Sequence, residues 1–377
     1  MAILAAISLL IWLYLCLFHG KFWHSDQMLN SIKVNIKVFP RIVCVIPARD
    51  EAESIGRTVR ALLDQDYAGP FSIIVVDDNS TDGTADEARA VLEDDEDQRL
   101  RVIEGAPLAE GWAGKMWAVS QGIAAAGDAD YVLLTDADIE HAPDSLTRLV
   151  TKAETEQLGL VSEMVKLHCG FVWERFLIPA FIYFFQKLYP FPRVNDPKSR
   201  MAAAAGGCML VHAASLKDAG GIAEIRNCII DDCALARLIK PLRPVWLGLS
   251  TETHSLRSYE SLMPIWRMVA RTAYVQLNHN PLLLVATLTG MALLYLLPPL
   301  ALIMGLIELD PLLALLGAGA WLVMAWTYLP TLDLYRLNAL WALSLPFAGI
   351  LYAVMTLDSA RLHYAGQGAA WKGRTYS

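Results

Sequence analysis

Beyond Pro281 the chain becomes too apolar to fold as an ordinary water-soluble unit. Leu282–Ile307, Leu312–Leu329 and Leu340–Leu357 are three runs with few charges, each close to the roughly 20 residues a helix needs to cross a bilayer. Ala2–Phe18 is a further run, nearly unbroken and just long enough to span when helical. No Lys or Arg precedes it and no small-x-small site follows it, which disfavours a cleaved signal peptide. Residues 1–20 therefore read as an anchor and 281–360 as membrane helices, with 361–377 as a basic tail. Lys21, Lys33, Lys37 and Arg41 follow the first run, so the positive-inside rule places the next domain in the cytoplasm. Three complete crossings would put Arg361, Lys372 and Arg374 on the opposite side. A re-entrant or interfacial segment, broken at Pro298-Pro299 or Pro346, would reconcile the two, and the number of spans stays open at this point.

The apolar blocks explain the 55% hydrophobic content and leave residues 41–280 as the soluble part. A formal net charge of -8 argues against nucleic acid as a partner, because phosphate neutralisation needs clustered Lys and Arg. The densest charge run, Glu93 to Asp97, is acidic and reads as a solvated loop. Six cysteines form no CxxC pair, which fits free thiols in a reducing compartment.

From Arg41 to about Leu167 the pattern alternates. Ile42–Ile46, Ile73–Val76, Leu100–Ile103 and Tyr131–Leu134 read as strands. Glu51 to Gln65 has apolar residues at helical spacing, and helices are expected from Thr84 and over Lys115–Ala125. Such alternation implies an α/β domain with a parallel, doubly wound sheet. Residues 171–192 are rich in aromatics, with Pro179 in the middle. Arg175 and Lys187 bracket an apolar stretch too short to span, which fits a helix in the membrane interface, with core packing as the alternative.

Asp77-Asp78 and Asp136-Ala137-Asp138 each end a β-branched apolar run. Carboxylates there reach the carboxyl edge of a parallel sheet, where α/β folds bind ligands. Asp136 and Asp138 suit a hard divalent cation that also holds phosphate oxygens. Asp78, Ser80, Asp82 and Gly83 imitate the first half of a calcium loop, but Arg89 stands where its bidentate Glu belongs. Pro47-Ala48-Arg49-Asp50-Glu51 can present backbone N–H groups and Arg49 to an anion. Gly114-Lys115 is no P-loop, yet Lys115 at a helix start can meet a diphosphate. Asp231-Asp232 is either a repelling pair with one raised pKa, suited to a general base, or a helix-dipole pair. Gly206-Gly207-Cys208 would let backbone approach an acceptor closely. Arg267 and Arg271 share a helix face with Trp266, and either clamp a diphosphate or flank a span. His141 and His254 are possible metal neighbours, though lone histidines are more often structural.

In order along the chain, Pro47-Ala48-Arg49-Asp50-Glu51, Val76-Asp77-Asp78-Asn79-Ser80-Thr81-Asp82-Gly83-Thr84, Gly114-Lys115, Asp136-Ala137-Asp138, Gly206-Gly207 and Asp231-Asp232 resemble family 2 glycosyltransferases with the GT-A fold. The resemblance covers roughly residues 41 to 280. The N-terminal run, Ile230-Asp231-Asp232-Cys233-Ala234-Leu235, Trp266-Arg267-Met268-Val269-Ala270-Arg271-Thr272 and Trp371-Lys372-Gly373-Arg374 look like the hopanoid-biosynthesis-associated branch. It implies a doubly wound mixed sheet between N-terminal and C-terminal transmembrane helices, and an inverting enzyme moving one sugar from a UDP-sugar to a lipid. Asp77 and Asp78 would hold the uracil or ribose, and Asp136 with Asp138 Mg or Mn on the diphosphate. Asp232 would deprotonate the acceptor. The usual Glu-Asp pair is Asp231-Asp232 here, and the Gln-x-x-Arg-Trp signature of processive relatives is absent, so single-sugar transfer is favoured. The rival reading is a membrane transport or scaffold protein whose GT-A domain senses nucleotide; intact acidic elements and few ionisable groups in the spans speak against it.

Overall fold

Runs of Ile, Val and Leu with no polar alternation form strands buried on both faces. The computed structural model describes residues 1–29, 36, 38–92 and 98–367, with the backbone of 370–371 and 374–375. Lys33, Lys37, Lys372 and the run Glu93 to Asp97 lie outside the described residues. Strands β1 (Ile42–Ala48), β2 (Phe71–Asp77), β3 (Leu100–Glu104) and β4 (Tyr131–Thr135) are parallel, in the order β3-β2-β1-β4. Helices Ala52–Leu63, Thr84–Arg89 and Gly114–Ala125 connect them. The chain thus winds outward from β1 on one side, then returns to β4 on the other. That reversal opens a crevice at the carboxyl ends of β1 and β4, the place where such sheets bind ligands. Its lips are Ala48-Arg49 and Thr135-Asp136.

The all-parallel pattern stops at β4. Strands β5 (Ile139–Glu140), β6 (Leu160–Lys166), β7 (Cys208–His212) and β8 (Val245–Ser255) continue the sheet as β4-β7-β6-β8-β5. β7 is antiparallel to β4 and β6, and β5 to β8, so the sheet is mixed. The period of two sends Val43 and Val45 to one core and Ile42, Cys44 and Ile46 to the other. Helices Ala52–Leu63 and Ser145–Glu156 cover the second core. The first continues without a break into Tyr183, Tyr295, Tyr328 and Tyr352 of the membrane part.

Pro281–Ile307, Pro311–Leu334 and Ala339–Tyr364 are the three helices long and apolar enough to cross a membrane among the described residues. Helix Ala2–Phe18 has only 17 residues, about 25 Å at 1.5 Å per residue, shorter than the full anchor expected of residues 1–20. It packs on Pro311–Leu334, and its polar groups repair a break in the neighbouring helix. Pro298 and Pro299 lack N–H groups, and the turn before them, Ala292–Leu296, is a π-helix in which Leu297 N–H reaches back to Ala292. The carbonyls of Leu293 and Leu294 thereby lose their α and π partners. Ser8 Oγ donates to the first at 2.8 Å and Trp12 Nε1 to the second at 3.0 Å. An unpaired carbonyl in hydrocarbon costs several kcal/mol, so this repair fixes the first helix in place.

The end of the third helix lies beside the residues that precede the first. Tyr274 O–H lies 2.9 Å from both the His279 carbonyl and the Tyr364 hydroxyl, and the His279 and His363 rings stack at 4.1 Å. Three complete crossings would place these ends on opposite faces of a bilayer, whereas the structure brings them together. Pro346 breaks nothing, because it sits in the first turn of Leu345–Tyr364. The aromatic helix Val172–Leu188 packs into the core, the alternative weighed for it, with its first turn left open. Phe171, Val172 and Trp173 are exposed, whereas Tyr183 bonds Thr327 at 2.7 Å and the Leu177 carbonyl accepts from Tyr352 at 2.9 Å.

Candidate active site

The first wall of the crevice is built by two loops that tie each other down. Asp50 N–H donates to Ser80 Oγ at 3.0 Å, Glu51 N–H to Thr84 Oγ1 at 2.8 Å, and Ala52 N–H to Asp82 at 3.0 Å. Arg49 donates to the Asp78 carbonyl at 2.5 Å and lies 3.8 Å from its carboxylate. Asp78 is fully buried and Asp77 nearly so, which makes Asp78 and Arg49 an internal ion pair bracing the loops. Asp77 orients the turn by accepting from Ser80 N–H at 3.4 Å. Pro47 lines the crevice directly, and Ala48 accepts Asp78 N–H through its carbonyl at 2.7 Å.

Lys115 stands at the centre. Helix Gly114–Ala125 starts beneath the carboxyl ends of β1 and β4, so the side chain in its first turn points into the crevice. Its Nζ lies 2.9 Å from Asp136 and 3.2 Å from Asp231, joining two acidic elements almost a hundred residues apart. Burial works against its charge, but Asp136 and Asp231 together hold its pKa well above the ordinary range. Asp232 sits half-buried at the start of helix Asp231–Ile239. It accepts N–H bonds from Gly206 at 3.0 Å and Cys233 at 2.6 Å. Burial first, and then the Asp231 charge, push its carboxyl up to about 6. A carboxylate of that kind is ionised at neutral pH and a stronger base than an exposed one. Gly206 faces this group closely: a Cβ there would stand 3.4 Å from Lys115 Nζ and 3.7 Å from Asp232.

A residue that the sequence reading overlooked completes the opposite corner. Arg257, two residues past β8, donates from Nε to Asp138 at 2.8 Å and from Nη2 to Glu51 at 2.8 Å. Its backbone is aligned with the acidic turn, because Leu256 N–H donates to the Asp138 carbonyl at 2.7 Å and Ile139 pairs with Ser255. Nothing local marks Arg257 in the sequence. The available signal was global: Glu51, Asp136, Asp138, Asp231 and Asp232 crowd one crevice and need more countercharge than Lys115 supplies.

Other expected residues lie apart. The side chain of Cys208 is buried in the core below Ile139 and Val161, away from the crevice, and Gly207 faces Val165. Arg267 and Arg271 are exposed on helix Leu262–Gln276, with Arg271 near enough to act on Tyr259. His141 is a buried brace, not a metal neighbour. Its Nε2 bonds Thr135 at 2.8 Å, and burial lowers its pKa to about 4. His254 is exposed on β8.

Among the described residues no three His, Cys, Asp or Glu side chains form a ready metal cluster. The donor chemistry nonetheless fits a hard cation. Asp136 and Asp138 present carboxylates at one strand end, and burial and then Asp136 raise the pKa of Asp138, as between like charges held together. In this state each carboxylate is countered by a cation of the protein itself, Lys115 or Arg257.

Residues 43–220 match the profile described as Glycosyl transferase family 2. An undecaprenyl-phosphate mannosyltransferase of Micrococcus luteus is 32% identical over 135 residues, which are 33% of this chain and 49% of that protein. The chain thus spans about half the length of that curated relative. Among solved structures, the mannosyltransferase PcManGT from Pyrobaculum calidifontis, in complex with GDP-Man and Mn2+, superposes with a TM-score of 0.54. It has 16% identity and covers 94% of this chain and 99% of that one, a likeness of fold that includes the membrane helices. Strand order, crevice and profile agree: residues 43–220 of this chain are similar to family 2 glycosyltransferases, and the fold is of the GT-A type.

Proposed function

We propose that this protein is a membrane-bound, inverting glycosyltransferase that moves a single sugar from a UDP-sugar to a lipid alcohol, with its catalytic domain on the cytoplasmic side. The observation that carries the reading is the meeting of Lys115, Asp136, Asp231 and Asp232 at the β1/β4 crevice, on a domain whose core runs directly into apolar helices. Asp136 and Asp138 would hold Mg or Mn, which when bound neutralises the diphosphate charge. Lys115 adds a fixed positive charge beside the same phosphates. Asp232 takes the proton from the acceptor hydroxyl as its oxygen bonds to the anomeric carbon. The bond from that carbon to the diphosphate breaks on the opposite face, which inverts the configuration. Assignment of the acceptor to hopanoids is supported by the branch motifs alone.

A second reading draws on the relatives. The M. luteus protein is named for undecaprenyl phosphate and the archaeal enzyme was solved with GDP-Man, which supports a GDP-sugar donor and a lipid phosphate as acceptor. A phosphate oxygen is already ionised and needs no base. The test uses purified protein in nanodiscs with Mg or Mn, labelled UDP- and GDP-sugars, and a total lipid extract. Label in the organic phase with wild type, and near-complete loss with Asp232→Asn, supports the alcohol reading. Label that survives Asp232→Asn supports the phosphate reading. No label from any donor, despite cation-dependent nucleotide binding, refutes the transferase and favours a nucleotide-sensing scaffold.

A further inference from the structure

We propose that Arg257 is an internal counter-cation for the donor site: it holds Asp138 and Glu51 while the site is free of donor and competes with the divalent cation for Asp138. The inference rests on the reading that Asp138 is a cation ligand. Three observations carry it. The guanidinium bridges two carboxylates of separate elements at 2.8 Å each, using Nε for one and Nη2 for the other. Those carboxylates are well shielded, with side chains 14% and 16% exposed, whereas Arg257 is 42% exposed. A shielded acidic pair held by a partly exposed, flexible cation is an arrangement in which the cation, not the acids, is the replaceable member. Finally, the same segment reaches the aromatic membrane helix. Tyr259 N–H donates at 2.6 Å to Glu174, which also accepts from Gly170 and Phe171 at the start of Val172–Leu188. The backbone of residues 256–260 is thus held at both ends, by Leu256 N–H on the Asp138 carbonyl and Tyr259 N–H on Glu174, so the Arg257 side chain can be released without moving the segment that carries it.

Arg257 acts through Asp138 and Glu51, so it is a positioning residue. The readout is affinity for Mn2+ alone, measured by electron paramagnetic resonance on full-length protein in nanodiscs without nucleotide. Arg257→Gln should tighten Mn2+ binding about tenfold, equivalent to ~1.4 kcal/mol, with Arg257→Lys in between and Asp138→Asn abolishing it. A purely structural role predicts the opposite, weaker binding as the site loosens. Melting provides a second measure: Arg257→Gln should melt lower than wild type in EDTA and regain the difference in Mn2+. Loss of binding in Asp138→Asn with unchanged or weaker binding in Arg257→Gln overturns the Arg257 proposal and leaves the cation reading standing. Unchanged binding in Asp138→Asn overturns both.

Discussion

Asp232 offers the sharpest quantitative test, because one property of its environment predicts opposite effects on activity and stability. Its carboxyl titrates near 6 in the folded protein against an ordinary 3.8. At 1.36 kcal/mol per pH unit, that difference amounts to about 3 kcal/mol at most. The sign follows from proton linkage. The folded state binds this proton more tightly than the unfolded chain, so folding is favoured at low pH and loses stability as pH rises from about 4 through 6. Above that range the ionised group is a standing cost. Asp232→Asn removes the charge beside Asp231 but turns one N–H toward either Gly206 or Cys233, a loss of roughly 1 kcal/mol. The net expectation at pH 7.5 is a gain of about 1–2 kcal/mol, seen as a higher apparent melting temperature. On an alcohol acceptor, transfer should fall by about 10²–10⁴, the usual worth of a positioned base. For wild type, about one-eleventh of the base is ionised at pH 5 and about ten-elevenths at pH 7, so kcat/KM should drop roughly tenfold between them. A flat profile over that range, or a variant that is less stable and still active on an alcohol, would refute the assignment of Asp232 as base.

Lys115→Met should cut transfer by at least about 10²-fold, since Asp136 and Asp231 would then face each other uncompensated. Because Lys115 also lowers the Asp232 pKa, the acid limb of any residual activity should move to higher pH, and an unmoved limb would rule out that coupling. Asp138→Ala should abolish cation-dependent nucleotide binding in calorimetry, and retained binding would exclude Asp138 as a ligand. Trp12→Phe leaves the Leu294 carbonyl unpaired and should destabilise the membrane part by about 1–3 kcal/mol. Combining it with Pro298→Ala, which restores a backbone donor to that carbonyl, should recover most of the loss in thermal melts. Strict additivity of the two changes would discount the repair.

Patterns that are local along the chain were legible before any fold was known. Apolar runs announced β1 to β4 within a residue or two; β1, β2 and β4 are buried on both faces and have no polar alternation to obscure them, while β3 is the half-exposed edge strand. The ends of those runs located Asp136 and Asp138, since a parallel sheet directs its carboxyl-end residues to one crevice, and the helix start after Gly114 located Lys115. Length and apolarity likewise set the three long helices beyond Pro281. What the sequence could not decide were facts set by partners distant along the chain. β8 carries Gly248 and a polar second half, and it is a strand because β6 supplies its hydrogen bonds. Asp78 looks like a ligand for a nucleotide, yet packing buries it against Arg49. Arg257 has no motif at all; it matters because an antiparallel register lays it across Asp138, and because clustered carboxylates draw a cation wherever the fold brings one within reach. The meeting at Tyr274 of the start of the first long apolar helix and the end of the last is of the same kind, since hydropathy measures how long a helix is and only packing decides which ends meet.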